Sequence, residues 1–182
     1  DLFSELSALA EGAKISVAEA IIVGGFTDFV DAVRAQIGGE TPPSLQEDDC
    51  TAVLVPDSRS EGAGFLAQTW DMHDTATEHV VLLRLEPDNS PAVIVFTTTG
   101  CLGQIGMNDQ GVAVGINNLT GGDGQRGVTW TSVVRGMLRQ DTAENALKVL
   151  LDADLAGAHN YLIMDGTGKG FNVEAMPSIR PV

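Results

Sequence analysis

The chain has 182 residues, 43% of them hydrophobic, and its 25 acidic residues against 10 basic ones give a formal net charge of −15. This length and hydrophobic content suffice for one domain with a buried core and exclude global disorder. The negative charge excludes nucleic-acid partners, because affinity for nucleic acids comes from Lys and Arg neutralising phosphates. No apolar run approaches the roughly 18 to 20 residues that span a bilayer, so we expect a soluble, cytoplasmic protein without membrane partners.

Helical patterns fill the first part of the chain. Gly12 is placed to end the first helix. Ser16 precedes Glu19 by three residues, which is the spacing of a capping box and predicts that a second helix begins there. Gly24 and Gly25 interrupt this second apolar segment. The apolar residues of the first helix recur at helical spacing, at Leu2, Phe3, Leu6, Leu9 and Ala10.

A strand-rich region follows a polar stretch, residues 38–49, that is rich in Gly and Pro and is typical of an exposed linker. The runs after it are short and apolar, and turn-forming segments separate them. They predict an antiparallel sheet region. The predicted strands lie within residues 51–55, 64–70, 79–85, 92–100 and 111–118.

Helices return after the strands, over residues 128–139 and 142–151. Asp141 is expected to cap the second of these helices, with Glu144 at its third position. Residues 159–175 then predict a β-hairpin that turns through "DGTGKG". Helices, strands, helices and strands in this order favour a layered α+β architecture.

Cys50 stands directly behind three carboxylates, residues 47–49, and directly ahead of an apolar strand. Negative charge opposes ionisation of a thiol, so this is a poor place for a conventional reactive thiolate in the intact chain. A cut between Asp49 and Cys50 would give Cys50 a free α-amine, with a pKa of about 7.7 to 8.0 in peptides, that can serve as its general base. Two interpretations of Cys50 follow: it is a nucleophile created by cleavage, or, judged apart from its surroundings, it is a small buried hydrophobic residue.

The segment from Cys50 to Leu119 resembles the acyl-coenzyme A:6-aminopenicillanic acid acyltransferase family, the isopenicillin-N acyltransferase-like branch of the N-terminal nucleophile hydrolases. Three features carry the resemblance: a Cys at a strand start, the pair Trp70-Asp71 about twenty residues later, and "GVAVGINN". The resemblance implies a four-layer αββα fold, with two stacked antiparallel sheets between helical layers, which we expect to be incomplete in this chain.

The resemblance also divides the chain. Residues 1–49 would be a helical segment and linker on the pro side of an autocleavage point between Asp49 and Cys50. Residues 50–182 would be the N-terminal part of the catalytic αββα domain. After processing, the pieces of the protein's own polypeptide would stay together as an αβ heterodimer.

Carried over by position, the resemblance implies Cys50 as the nucleophile, Asp71 as the residue that orients its α-amine, and Asn117 as a donor to the oxyanion. Trp70 and Gln68 would line the substrate site. The related bile-salt hydrolases have an arginine where this chain has Gln68, which favours the acyltransferase-like branch.

The activity implied is cleavage or transfer at a small-molecule amide or thioester carbonyl through a Cys50 acyl-enzyme. No cofactor is expected, although the resemblance makes coenzyme A thioesters candidate acyl donors. Asp49 departs from the Gly that usually precedes the nucleophile in this family, and its side chain restricts the approach of the thiol to the scissile carbonyl. The alternative is an unprocessed, catalytically silent homologue that binds a small molecule or serves as a scaffold.

Other candidate residues are given structural roles. Asn118 competes with Asn117, but strand alternation lets only one of the two side chains face the site. Cys101 is interpreted as packing, because nothing nearby in the sequence would activate it. Two cysteines and three histidines without close spacing predict no metal site. The three histidines, His73, His79 and His159, are each interpreted as surface or structural residues.

Overall fold

The computed structural model describes residues 1–38 and 50–179; Asp49 and most of the predicted linker lie outside the described residues. None of the helices in the described ranges is long and apolar enough to cross a membrane. Two short 3-10 segments, Asp57–Arg59 and Asp74–His79, lie in loops. The main elements are α1 (Leu2–Ala13), α2 (Val17–Gly24), α3 (Phe26–Ile37), β1 (Ala52–Val55), β2 (Phe65–Gln68), β3 (Val80–Leu85), β4 (Val93–Thr98), β5 (Ile105–Asn108), β6 (Ala113–Asn118), α4 (Trp130–Met137), α5 (Ala143–Asp152), β7 (His159–Met164) and β8 (Gly170–Ala175).

The centre of the molecule is a six-stranded antiparallel sheet in the order β3-β4-β5-β6-β7-β8. Helices α4 and α5 connect β6 to β7 and pack on one face of this sheet. Their apolar side chains and those of the strands form the main core. Its largest fully buried members include Tyr161, Met137, Leu138, Leu150 and Ile163. Burial of such side chains stabilises the fold by roughly 1.5 to 3 kcal/mol each.

The hairpin of β1 and β2 lies on the other face of the six-stranded sheet. Leu66 of β2 lies close to Gly115 of β6, and Leu54 of β1 lies close to Gly170 of β8. A Cβ atom at Gly115 would come within 2.8 Å of the Gln68 side chain and would have to displace its amide, so a glycine favours this close approach of the two sheets. The α+β class and the stacking of antiparallel sheets are confirmed, whereas the four-layer N-terminal nucleophile fold stays a prediction.

Most predicted elements are found, and the capping box of Ser16 and Glu19 is confirmed. Strand β5 was not predicted, because Gly106 interrupts its pattern. A Cβ atom at Gly106 would lie 2.4 Å from the carbonyl oxygen of Ile94 on the neighbouring strand, so only glycine fits there. The predicted hairpin of residues 159–175 is confirmed as β7 and β8.

Two predicted helix ends were wrong. Helix α1 continues through Gly12 and ends at Ala13, and its C-cap Lys14 takes the left-handed conformation at φ 59°. Helix α5 is capped by Thr142, whose side chain accepts from the backbone N–H of Asn145, and not by Asp141. Asp141 instead accepts a hydrogen bond from the Asn145 side chain. The predicted N-cap of α5 was therefore one residue too early in the chain.

Helix α3 is tied to the rest of the fold by buried polar contacts. Asp28 accepts a hydrogen bond from the backbone N–H of Trp130 at 2.8 Å, and Asp31 accepts one from that of Ala158 at 3.1 Å. Arg34 forms an ion pair with Asp31 at 3.0 Å, and both side chains are almost wholly buried. The helices before the predicted cleavage point are therefore integral to the folded structure.

A buried histidine faces the same helix. His159 Nε2 lies 3.1 Å from the hydroxyl of Thr27, and His159 Nδ1 lies 3.7 Å from Asp28 Oδ1. Burial raises the pKa of Asp28 to about 7 and lowers the pKa of His159 to about 3. Between these values both side chains are neutral in the folded protein, because desolvation disfavours each charged form.

We predict that Asp28→Asn gains stability relative to the wild type as the pH rises from about 4 to about 7. The native Asp28 carboxyl keeps its proton up to about pH 7, whereas the unfolded one loses it near pH 4, so the wild type loses up to about 1.4 kcal/mol per pH unit in this window. The contribution of His159 has the opposite sign and cancels between the two proteins. Urea unfolding across this range measures the difference.

The matched control is Asp88→Asn, at an exposed turn. A gain in the stability of Asp88→Asn over the window equal to that of Asp28→Asn would show that burial of the carboxyl is not the cause. A difference for Asp28→Asn that did not change with pH would contradict the assignment of a buried, protonated carboxyl.

Candidate active site

Cys50 lies two residues before strand β1 and is half-buried. The hairpin ladder ends with the pair Ala52 and Gln68, and hydrogen bonds between Thr51 and Thr69 extend it outward. One step further along this register stand Cys50 and Trp70. The antiparallel pairing therefore brings the predicted nucleophile to the side of a predicted substrate-site residue, although twenty residues separate them in the chain.

Gln68 joins the hairpin to strand β6. Its Oε1 accepts a hydrogen bond from the backbone N–H of Ile116 at 2.7 Å, and its Nε2 donates to the carbonyl oxygen of the same residue. Strand β5 pairs with β6 only at Val114 and Ala113, so it does not reach Ile116. The Gln68 amide thus takes the place of a neighbouring strand there and holds the end of β2 next to Asn117.

Trp70 packs on the same face of the six-stranded sheet. Its ring meets that of Phe96 on β4 edge to face, with centroids 5.8 Å apart. Phe96 and Asn117 are on strands that flank the short β5, and Trp70 and Gln68 reach these two strands from the hairpin. The structure therefore gathers three predicted residues, Gln68, Trp70 and Asn117, at the end of the sheets where Cys50 enters.

Asn117 and Asn118 lie on opposite faces of β6, as strand alternation predicts. Asn117 shares its face with Gly115, under the hairpin, whereas Asn118 shares its face with the core residue Ile116. Asn117 Nδ2 donates to Asn160 Oδ1 at 2.9 Å, and its own Oδ1 is buried without a hydrogen-bond partner among the described residues. One N–H of its amide group is left for another acceptor.

Asp71 is exposed, and within the described ranges it forms no hydrogen bond or ion pair with the other candidate residues. Its carboxylate is therefore not committed to another side chain there. The chain beyond it helps to form an open surface depression of about 340 Å³ next to the end of β4. The depression is lined by Met72, Thr75, Ala76, His79, Thr98 and Thr99.

Two other candidates have structural surroundings. Cys101 is buried, its Sγ lies 3.3 Å from the hydroxyl of Thr98, and it donates to the carbonyl oxygen of Val23. Burial raises the pKa of the Cys101 thiol, which opposes formation of a thiolate. Neither Cys50 nor Cys101 forms a disulfide. His159 is buried against α3, away from the hairpin face of the sheet.

A family model described as acyl-coenzyme A:6-aminopenicillanic acid acyl-transferase matches residues 58–181, more than half of the chain. The chain belongs to this family. A protein of Emericella nidulans, the acyl-coenzyme A:6-aminopenicillanic-acid-acyltransferase 40 kDa form, is 22% identical over 177 residues. The similarity covers 96% of this chain and 46% of that protein, so the chain spans about half the length of this relative.

The match to the acyl-transferase family includes Gln68, Trp70, Asp71 and Asn117 and begins eight residues after Cys50. Family membership therefore supports an acyl-transfer setting for these side chains and leaves their individual roles as predictions. The arrangement can supply a thiol at a strand entry, an uncommitted carboxylate and an amide donor, which are the groups that acyl transfer requires.

Sequence reasoning missed two groups of buried polar residues. The first is the pair of acids on α3, Asp28 and Asp31, whose spacing of three residues places them on one helix face. The second is the partner of Asn117, Asn160 on β7, together with Asn172 on β8. The signal available for Asn160 was an Asn directly before the apolar run of β7, residues 161–164.

We predict that Gln68→Leu lowers the free energy of unfolding by about 1 to 3 kcal/mol, because it leaves the N–H and C=O of Ile116 without partners. Gln110→Leu, at an exposed turn, is the control and should change stability by less than about 0.5 kcal/mol. Urea unfolding measures both. Unchanged stability of Gln68→Leu together with a raised KM would instead assign Gln68 to substrate binding.

Proposed function

We propose that this protein is a cysteine acyltransferase or amide hydrolase of the N-terminal nucleophile type, acting on a small-molecule amide or thioester. The observation that carries the proposal is the position of Cys50 in a member of this acyl-transferase family. Cys50 begins the hairpin that Gln68 holds against β6 beside Asn117. In this proposal residues 1–49 precede the cleavage point and residues 50–182 belong to the catalytic domain.

The proposed reaction begins when the α-amine of Cys50, freed by cleavage, takes the proton of its own thiol. The thiolate attacks the substrate carbonyl carbon, and an N–H of Asn117 stabilises the resulting oxyanion. The carbonyl then re-forms as the bond to the leaving amine or thiol breaks, and the leaving group takes the proton from the α-ammonium. A second acceptor, water or an amine, attacks the Cys50 thioester by the same steps and restores the thiol.

Asp71 would hold the α-amine in place during these steps. A carboxylate attracts the ammonium form that exists between the two proton transfers. Within the described residues the Asp71 carboxylate has no other hydrogen bond, which leaves it available for this role. Self-cleavage has to occur at Asp49, and the family's usual Gly would allow closer approach of the thiol.

In this proposal the open depression next to β4 takes a small group of the substrate. It has a volume of about 340 Å³ and combines the apolar Met72 and Ala76 with hydroxyl groups of Thr75 and Thr98. It lies beyond Trp70 and Asp71 in the chain, and Trp70 packs on the adjoining strand. A short acyl or amine group with apolar and hydrogen-bonding parts fits such a lining.

We predict that Cys50→Ala abolishes both processing and acyl transfer, with a loss of at least about 10³-fold in kcat, because the nucleophile is removed. Intact-mass measurement shows whether two fragments with a cut before Cys50 are formed. A small thioester probe should add its acyl mass to the wild-type fragment that begins at Cys50 and add nothing to the variant.

Cys101→Ala is the matched control and should be processed and acylated like the wild type. Equal loss in the two variants would refute Cys50 as the nucleophile. A wild-type protein that stays uncut and takes up no acyl group would favour the alternative function, an unprocessed homologue that binds a small molecule, for which Asp49 is the motivating observation.

We also predict that Asn117→Ala lowers kcat by roughly 10² to 10³ with little change in KM, because the oxyanion exists only in the transition state. Asn118→Ala should have a milder effect, since that side chain lies on the opposite face of β6. Steady-state kinetics on proteins shown by mass to be processed separates turnover from cleavage. A larger kcat loss in Asn118→Ala would overturn the assignment.

A further inference from the structure

Three asparagines on neighbouring strands form a row of hydrogen-bonded side chains. Asn117 of β6 stands directly opposite Asn160 of β7, and Asn117 Nδ2 donates to Asn160 Oδ1 at 2.9 Å. Asn160 Nδ2 in turn donates to Asn172 Oδ1 on β8 at 2.5 Å. We call Asn117, Asn160 and Asn172 the amide row. It lies on the face of the sheet that the hairpin covers.

An oxyanion donor has to present N–H and not C=O. Rotation about the last side-chain bond of an asparagine is soft, and a half-turn exchanges the oxygen and the nitrogen. In Asn117 such a turn would direct Oδ1 at the oxygen of Asn160 and would replace a hydrogen bond by repulsion. The bond to Asn160 therefore opposes the turned state.

We propose that Asn160 is a positioning residue that fixes the side-chain amide of Asn117, and that Asn172 supports it. The inference rests on the proposed function, in which Asn117 donates to the oxyanion. The amide group is planar, so a bond from one N–H to Asn160 also sets the direction of the second N–H. A donor held in this way needs no reorganisation during the reaction, which is the condition for strong oxyanion stabilisation.

The cost of the amide row argues for a role beyond packing. Asn160 is only 9% exposed, and a buried amide is stabilising only when its hydrogen bonds are made. Leu162 lies two residues further along β7, on the same face, and is buried as an apolar side chain. An apolar residue at position 160 would also suit this interface between the sheets, so packing alone gives no reason for the amide.

The test uses the full-length, processed protein with the substitutions Asn160→Leu, Asn160→Asp and Asn117→Ala. Asn160→Leu should lower kcat by about 10- to 100-fold with KM changed less than about threefold. Asn160→Asp should stay within about threefold of the wild type, because its carboxylate still accepts from Asn117 Nδ2. The double variant of Asn160→Leu and Asn117→Ala should be no slower than Asn117→Ala alone.

A second measurement distinguishes loss of the bond between Asn117 and Asn160 from a general structural effect of the substitution. It follows the side-chain amide signals of Asn117 in a nitrogen-proton NMR spectrum. One Nδ2 proton should exchange slowly in the wild type and in Asn160→Asp, and rapidly in Asn160→Leu. Unchanged exchange in Asn160→Leu, an unchanged kcat there while Asn117→Ala is slow, or multiplicative losses in the double variant would each overturn the inference.

Failure of the proposed function gives a different pattern. If Asn117→Ala kept the wild-type kcat while Cys50→Ala was inactive, the oxyanion role of Asn117 would be wrong and the inference would fall with it. If Cys50→Ala remained active, the nucleophile itself would be wrong. The NMR exchange rates report the bond between Asn117 and Asn160 in either case.

Discussion

The bond pair between the Gln68 amide and the backbone of Ile116 is the constraint on which the candidate site depends. Two stacked sheets are usually joined by side-chain packing, which tolerates sliding by a fraction of a residue. Two hydrogen bonds from one side chain to the N–H and C=O of a single residue do not tolerate such sliding. The backbone of Ile116 needs these partners because β5 ends before it. The hairpin is thereby held in register over β6, and the positions of Cys50 and Trp70 follow from that register.

The contacts of helix α3 bear on what a cut before Cys50 would do. Cleavage would break one peptide bond and none of the buried contacts made by Asp28, Asp31 and Arg34. A buried donor or acceptor that loses its partner costs about 1 to 3 kcal/mol, and separation of the fragments would also expose the apolar surface beneath α1 and α3. We therefore expect a cleaved chain to stay assembled, with the thiol and its new amine at the entry to the hairpin.

Elements whose hydrophobic pattern reflects their own burial could be predicted from the sequence. Features that depend on contacts with residues distant in the chain could not. Strands β3 and β4 are runs of apolar residues and could be predicted from them. Strand β5 could not, because it contains Gly106, and the need for a glycine there comes from a carbonyl group on the neighbouring strand. In the sequence the acidic residues of α3 are typical of a solvated helix face. Their burial is explained only in the fold, where the backbone N–H groups of Trp130 and Ala158 donate hydrogen bonds to them. The role of Asn160 could not be predicted for the same reason, since its hydrogen-bond partner Asn117 is 43 residues away in the chain.

The charge around Cys50 gives the proposed cleavage an electrostatic reason. In the uncut chain the thiol has three carboxylates directly before it, and they oppose its ionisation. A cut after Asp49 would end the covalent link to those carboxylates and would place a positive α-ammonium three bonds from Sγ of Cys50. That cation would favour the thiolate, and in the proposed function it would be the group that Asp71 holds. In the proposed function the three carboxylates before Cys50 are therefore replaced, after the cut, by the single carboxylate of Asp71, which would hold the general base.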